Sequence, residues 1–197
     1  MSSRETILDT VRRNQPAASP LPEVPLFDGA LPPAWPRFRD ALARMGGRPV
    51  EPTAGTDLAA LIADIHPDAK VVCSATAEVA GNRRPTAAAA PRDLDDVDVG
   101  IVRAVFGVAE TGSVALRESE FGVPALGYLA QHLVVLLDPA DVVGNLHHAY
   151  RRPEFAAAGY LVLMTGPSAT ADIEGVLIHG AQGVRSLTVV AAPRPRP

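Results

Sequence analysis

The spacing of hydrophobic positions changes several times along the chain, and each change predicts an element. In "SSRETILDTVRRN", Ile7, Leu8 and Val11 share one helical face, and Ser2 and Glu5 have capping-box spacing. The next 22 residues, "QPAASPLPEVPLFDGALPPAWP", hold seven prolines, which excludes a helix or a central strand and predicts an extended arm. Leu21, Val24, Leu26 and Phe27 give that arm apolar surface to lay against the domain. "RFRDALARMGG" predicts a helix closed by glycine, and "RPVEP" a brief strand. "TDLAALIADIH" predicts a helix capped by Thr56, with Leu58, Leu61, Ile62 and Ile65 as its buried stripe. "KVVCSA" is a continuous apolar run, suited to a strand covered on both faces.

"TAEVAGNRRPTAAAAPRDLDD" has no hydrophobic period and predicts a long mobile surface loop. "VDVGIVRAVFGVAETGSVAL" predicts a short strand, a connection, and two strands folded about "ETGS". "VPALGYLAQ" predicts a short helix, "HLVVLLD" a buried strand, and "PADVVGNLHHAYRR" a helix with Pro139 near its first turn. "YLVLMTG" predicts another buried strand, "TADIEGVLIHG" a helix, and "SLTVVAA" a last strand. Alternating strands and helices point to an α/β fold with a largely parallel sheet. The expected organisation is an arm over residues 1–36 and one α/β domain over residues 37–197.

Composition narrows the function classes. A net charge of −4 argues against a nucleic-acid partner, which needs a basic face. The arginine pairs 12–13, 83–84 and 151–152 are scattered and read as solvated surface. The single cysteine, Cys73, excludes an internal disulfide and reads as a small buried hydrophobe. No apolar leader or membrane-length apolar run is visible, so the expected location is cytoplasmic. The five histidines show no chelating spacing, and no metal site is expected; no G-x-S-x-G elbow is present either.

Two stretches carry candidate chemistry. "FGVAETGSVAL" is spaced almost like a phosphate loop, but it lacks the lysine and places Glu110 where a phosphate would sit. As a bare turn, Thr111 and Gly112 bend the chain between two strands; as a site, Glu110 offers a base, nucleophile or acceptor beside Thr111, Gly112 and Ser113. In "MTGPSATADIE" a strand ends at Thr165, Gly166 and Pro167 turn the chain, and Ser168 or Thr170 can cap the helix expected next. A helix start there would attract a small anion. The alternative is that Ser168, Thr170 and Asp172 only satisfy the helix's own amides.

Taken together, "VGIVRAVFGVAETGSVAL", "HLVVLLDPADVV", "MTGPSATADIEGVLIHGAQG" and "LTVV" resemble the LUD family, named for lactate utilisation, and within it the small C-type component of the lactate-utilisation system. The resemblance covers about residues 97–191. It implies a three-layer α/β/α domain with a mostly parallel sheet, like the NagB/RpiA/CoA-transferase group. It also implies an accessory role in oxidising L-lactate to pyruvate, with the iron–sulfur centres in partner oxidoreductase subunits and no cofactor in this chain. The family's G-x-H-G-P segment stands here as Gly180-Ala181-Gln182-Gly183-Val184, and the arginine of G-P-S-R-T is Ala169. The implied site is a shared cleft, with Glu110, Thr111, Gly112 and Ser113 on one wall and Thr165, Gly166, Ser168, Thr170 and Asp172 on the other, Gln182 beside them. Its expected ligand is a small carboxylate or phosphorylated metabolite. Three roles remain open: the accessory subunit, a non-catalytic anion-binding or scaffold protein, and a CoA-transferase-like enzyme using Glu110. The arm leaves an oligomer possible.

Overall fold

Ser2 caps the first helix reciprocally: its hydroxyl accepts the Glu5 amide at 3.3 Å, and its own amide donates to Glu5 Oε2 at 2.6 Å. The computed structural model describes residues 2–20, 22–29, 31–86, 89–173 and 175–194. In chain order come α1 (Ser3–Arg13), α2 (Ala34–Arg44), β1 (Arg48–Val50), α3 (Leu58–Ile65), β2 (Val72–Ser74) and β3 (Val99–Arg103). Then follow β4 (Phe106–Val108), β5 (Ser113–Arg117), α4 (Glu118–Phe121), α5 (Leu126–Leu129), β6 (His132–Leu137) and β7 (Val142–Val143). The chain continues through α6 (Leu146–Tyr150), α7 (Pro153–Ala157), β8 (Leu161–Met164), β9 (Ala169–Ile173), β10 (Val176–His179) and β11 (Ser186–Ala191).

The central sheet has the order β1-β11-β6-β3-β2, and every pairing in it is parallel. The α/β expectation, with a mostly parallel sheet and flanking helices, therefore holds. Side-chain alternation divides the core. Val99, Ile101, Val134, Leu136 and Val190 face α3 and its buried Ile62. Val102, Leu133, Val135, Leu137, Leu187 and Val189 point the other way, toward Phe38 and Leu42 of α2, Phe121, Leu126, and Val114 and Leu116.

Those last two residues belong to a second sheet, ordered β7-β4-β5-β8, that the hydrophobic pattern does not announce. Its far face closes over Phe106, Val108, Ala115, Ala149 and Phe155. Phe38 and Leu42 are fully buried between the sheets, each worth about 1.5–3 kcal/mol. Their burial anchors α2 against the second sheet.

Four expectations are corrected. "TADIEGVLIHG" is not a helix but the antiparallel hairpin β9–β10, which turns at Gly175 with φ of 72°. β-Branched Thr170 and Ile173 suit a strand, and a two-strand ladder satisfies amides that a helix start would leave free. "PADVVGNLHHAYRR" is not one helix. Asp138 caps a single 3-10 turn, Val142–Val143 pairs with β4, and Asn145 caps α6 by accepting the His148 amide at 3.0 Å. Asp57 caps α3 in place of Thr56, through the amides of Ala59 and Ala60. The segment between β2 and β3, whose residues 87 and 88 lie outside the described residues, is tied down at Arg83 rather than loose there: Arg83 exchanges backbone hydrogen bonds with Val72 and Ser74 and pairs with Asp96 at 2.5 Å.

The arm contacts the domain through main chain and side chains alike, the Phe27 ring centroid lying 4.9 Å from that of His147. Asn145 Nδ2 donates to the Leu26 carbonyl at 2.6 Å and Arg151 to that of Val24 at 2.8 Å, while Val24 and Phe27 stay exposed. Leu21 lies outside the described residues. The carboxyl ends of the parallel strands, where α/β sheets commonly take ligands, are filled by the chain's own ion pairs. Arg103, 8% exposed, pairs with Glu78 and donates to the Ala192 carbonyl at 2.9 Å. Arg194 donates to Asp138 through its amide at 2.9 Å and to Asp141 at 3.2 Å.

Candidate functional site

The turn between β4 and β5 is tight because Gly112 adopts φ of 69°, a left-handed backbone that favours glycine. It also packs on α2, so a Cβ at Gly112 would lie 2.2 Å from the Leu42 amide nitrogen. Gly166, with φ of 66°, sits against the end of the same helix, and a Cβ there would lie 2.2 Å from the Met45 carbonyl oxygen. Both motif glycines thus hold the carboxyl-terminal half of α2.

The antiparallel pairing of β5 with β8, which sets Val114 opposite Met164, brings the two motifs together. The hydroxyls of Thr111 and Ser113 lie 2.6 Å apart, and those of Ser113 and Thr165 lie 2.5 Å apart. Ser113 is 3% exposed, whereas Thr111 and Thr165 are half-buried. Three hydroxyls carry three protons, and two hydrogen bonds use two of them. One donor therefore remains for an acceptor outside the chain of hydroxyls. A cleft of about 470 Å³ opens beside these groups, lined by Arg44, Glu110, Thr111, Ser113 and Thr165 along with apolar Ala41, Met45, Leu146 and Leu163. Glu110 Oε2 accepts the Leu146 amide at 3.1 Å, which fixes the carboxylate at the mouth.

The other expected residues are divided. Thr165 also lines a second cleft of about 260 Å³, with Gly166, Ser168 and Gln182. The hydroxyl of Ser168 donates to the main-chain carbonyl of Gln182, a contact that does not depend on the Gln182 side chain. Thr170 lies in the hairpin, paired in register with Ile178. The side chain of Asp172 lies outside the described residues. Because the hairpin replaces the expected helix, no helix start faces either cleft at Ser168, and no helix dipole draws an anion there.

Arg44 is the cleft residue that sequence reasoning missed. It stands at the last position of α2, in a helix whose pattern speaks only of packing, and no motif spacing links it to Glu110. Among the described residues, no group of three or more His, Cys, Asp or Glu is placed to hold a metal ion. No described helix is long and apolar enough to cross a membrane.

A family model described as the LUD domain matches residues 83–191, more than half of the chain. The chain belongs to the LUD-domain family. An uncharacterized protein of Neisseria meningitidis serogroup B is 30% identical over 99 residues, which is 49% of this chain and 42% of that relative. The LUD chain therefore matches less than half of that relative's length. The fold is similar to that in the crystal structure of a DUF162 family protein from Deinococcus radiodurans. The TM-score is 0.60 at 18% identity, over 79% of this chain and 93% of the other, a likeness of fold. The family match contains Glu110, the hydroxyl chain and both glycines, while Arg44 and the rest of α2 precede it.

Proposed function

We propose that this LUD-domain protein is an accessory subunit in the oxidation of L-lactate to pyruvate, working with iron–sulfur partner proteins and binding a small carboxylate in the cleft beside Ser113. Family membership supports the pathway part of this reading. One observation carries the binding part: the hydroxyl chain that joins Ser113 to Thr165 has an uncommitted proton and shares a cleft with Arg44.

A ligand carboxylate would sit between the Arg44 guanidinium and that proton, where charge assistance strengthens both bonds. A hydroxyl next to the carboxylate would donate to the free side of Glu110. A 2-hydroxy acid meets both demands. Glu110 acts here as an acceptor, so binding needs no turnover by this chain alone.

Differential scanning fluorimetry with L-lactate, pyruvate and phosphate tests this reading. Ligand at 100 times its Kd stabilises by about 2.7 kcal/mol, worth several degrees in a chain of this size. The expected result is stabilisation by the carboxylates that Arg44→Gln and Thr165→Val each abolish. Absence of any carboxylate effect, or an effect unchanged in Arg44→Gln, overturns it. Co-purification with cysteine-rich oxidoreductase subunits tests the partnership separately.

A further inference from the structure

The amino ends of the parallel strands carry a second candidate site, which shares no lining residue with the cleft at Ser113. Two cavities adjoin there and share His66, Pro67 and Ala69. One, of about 250 Å³, lies between α3 and the sheet and is lined largely by apolar side chains, Ile62, Val72, Val79, Val99 and Ile101 among them. The other, of about 410 Å³, is lined by polar groups that include Asp98, Gln131, His132 and Arg185. An apolar chamber opening onto a few convergent polar groups is the usual form of a small-molecule site.

The groups at the junction want a partner. The His66 ring stacks on the His132 ring with centroids 4.6 Å apart. His66 Nε2 is buried and finds no hydrogen-bond partner among the described residues. Leaving such an atom unpaired is unfavourable, so a bound group that satisfies it is favoured. His132 Nδ1 is 2.8 Å from the Ser186 hydroxyl, which leaves its other ring nitrogen for a second contact.

Charges of both signs surround this junction. Arg48 on β1 acts on the His66 imidazole and Arg185 before β11 on that of His132, where Asp98 acts in the opposite sense. Of the acids, Asp98 is already held by the amides of Lys70 and Val71 at 2.7 and 2.8 Å, and Asp68 sits on the exposed loop after α3. Burial and these cations push both histidines below their ordinary pKa. A carboxylate would offset that repulsion.

We propose that this groove binds a small amphipathic monocarboxylate, its apolar body under α3 and its carboxylate between His66, His132 and Arg185. It is separate from the cleft at Ser113 and does not rest on the lactate reading.

Isothermal titration and histidine ring NMR on the full chain test the groove with octanoate, using octanol as the headless analogue and phosphate as the bodiless one. The expected result is saturable octanoate binding with Kd below about 1 mM that shifts the His66 and His132 rings. Octanol and phosphate should each bind at least tenfold more weakly. Arg185→Gln should weaken octanoate at least fivefold, while Arg44→Gln leaves it unchanged. Affinity should fall as pH rises from about 6 to 8, because a bound carboxylate favours protonated imidazoles that the free groove, with both histidines lowered, does not hold. Octanoate binding no better than octanol, binding indifferent to Arg185→Gln or to pH, or ring shifts absent from both histidines would each overturn the proposal.

Discussion

The hydroxyl of Ser113 hydrogen-bonds the hydroxyl of Thr165 at 2.5 Å, across 52 positions of sequence. The contact joins the ends of β5 and β8 and lets two motifs act as one wall. Replacing Ser113 by alanine removes both hydrogen bonds of a buried group. The expected cost is about 1 kcal/mol, or ~2–4 °C in Tm for a chain of this length. Thermal unfolding checks it, and a Ser113→Ala protein as stable as the parent would show that the hydroxyl chain contributes nothing to the fold.

The two motif glycines should respond far more strongly. Gly112→Ala and Gly166→Ala each combine a left-handed backbone with a Cβ 2.2 Å from main-chain atoms of α2 or the residue after it. Backbone strain and overpacking together predict a loss of about 3 kcal/mol or more. Gly55, with φ of 81° and nothing within 4 Å of where a Cβ would stand, supplies the control. Gly55→Ala should cost about 1 kcal/mol from backbone strain alone. Denaturant titration separates the two outcomes, and equal losses at all three glycines would remove the packing argument.

Stability should fall on mild acidification. His66 and His132 are both held below the ordinary value, chiefly by burial, so the unfolded chain binds more protons than the folded one as pH drops. Their contribution is therefore full above about pH 6.5 and is lost progressively below it. The Asp98 carboxyl, lowered by the amides of Val71 and Lys70, adds a further loss in the more acidic carboxylate range. Tm measured between about pH 7.5 and 5.5 should decline, and the double substitution His66→Asn, His132→Asn should flatten that decline. An unchanged slope in the double variant would assign the acid sensitivity elsewhere.

Cys73 should be inert in the folded protein. It is fully buried, and burial pushes its thiol above the ordinary range. An aromatic disulfide reagent should label it only after denaturant is added. Rapid labelling of the native protein would contradict the packing around β2.

What the sequence makes legible depends on where the deciding contact lies. The hairpin about Gly112 can be read because Val108 and Val114 flank a glycine turn in a local pattern. The burial of Cys73 follows from the apolar run around it. The β9–β10 hairpin is hidden because Pro167 and Ser168 imitate a helix start, while what rules out a helix is a strand pairing between Ala169 and His179. Asn145 carries a capping signal inside a segment whose apolar spacing suggests continuous helix, and Gly144 before it marks the break. Of the cleft, Glu110, Thr111, Ser113 and Thr165 come from motif spacing. Arg44 reaches the same cleft only through the packing of α2 between the sheets, which no local pattern encodes.

The clamp that Gly112 and Gly166 place on α2 has a spectroscopic consequence. The chain's single tryptophan, Trp35, begins this helix, stacked on Phe38 at 5.4 Å and hydrogen-bonded to Glu51. Indole emission therefore reports whether α2 keeps its seat, and a substitution at Gly112 or Gly166 that unseats the helix should shift it.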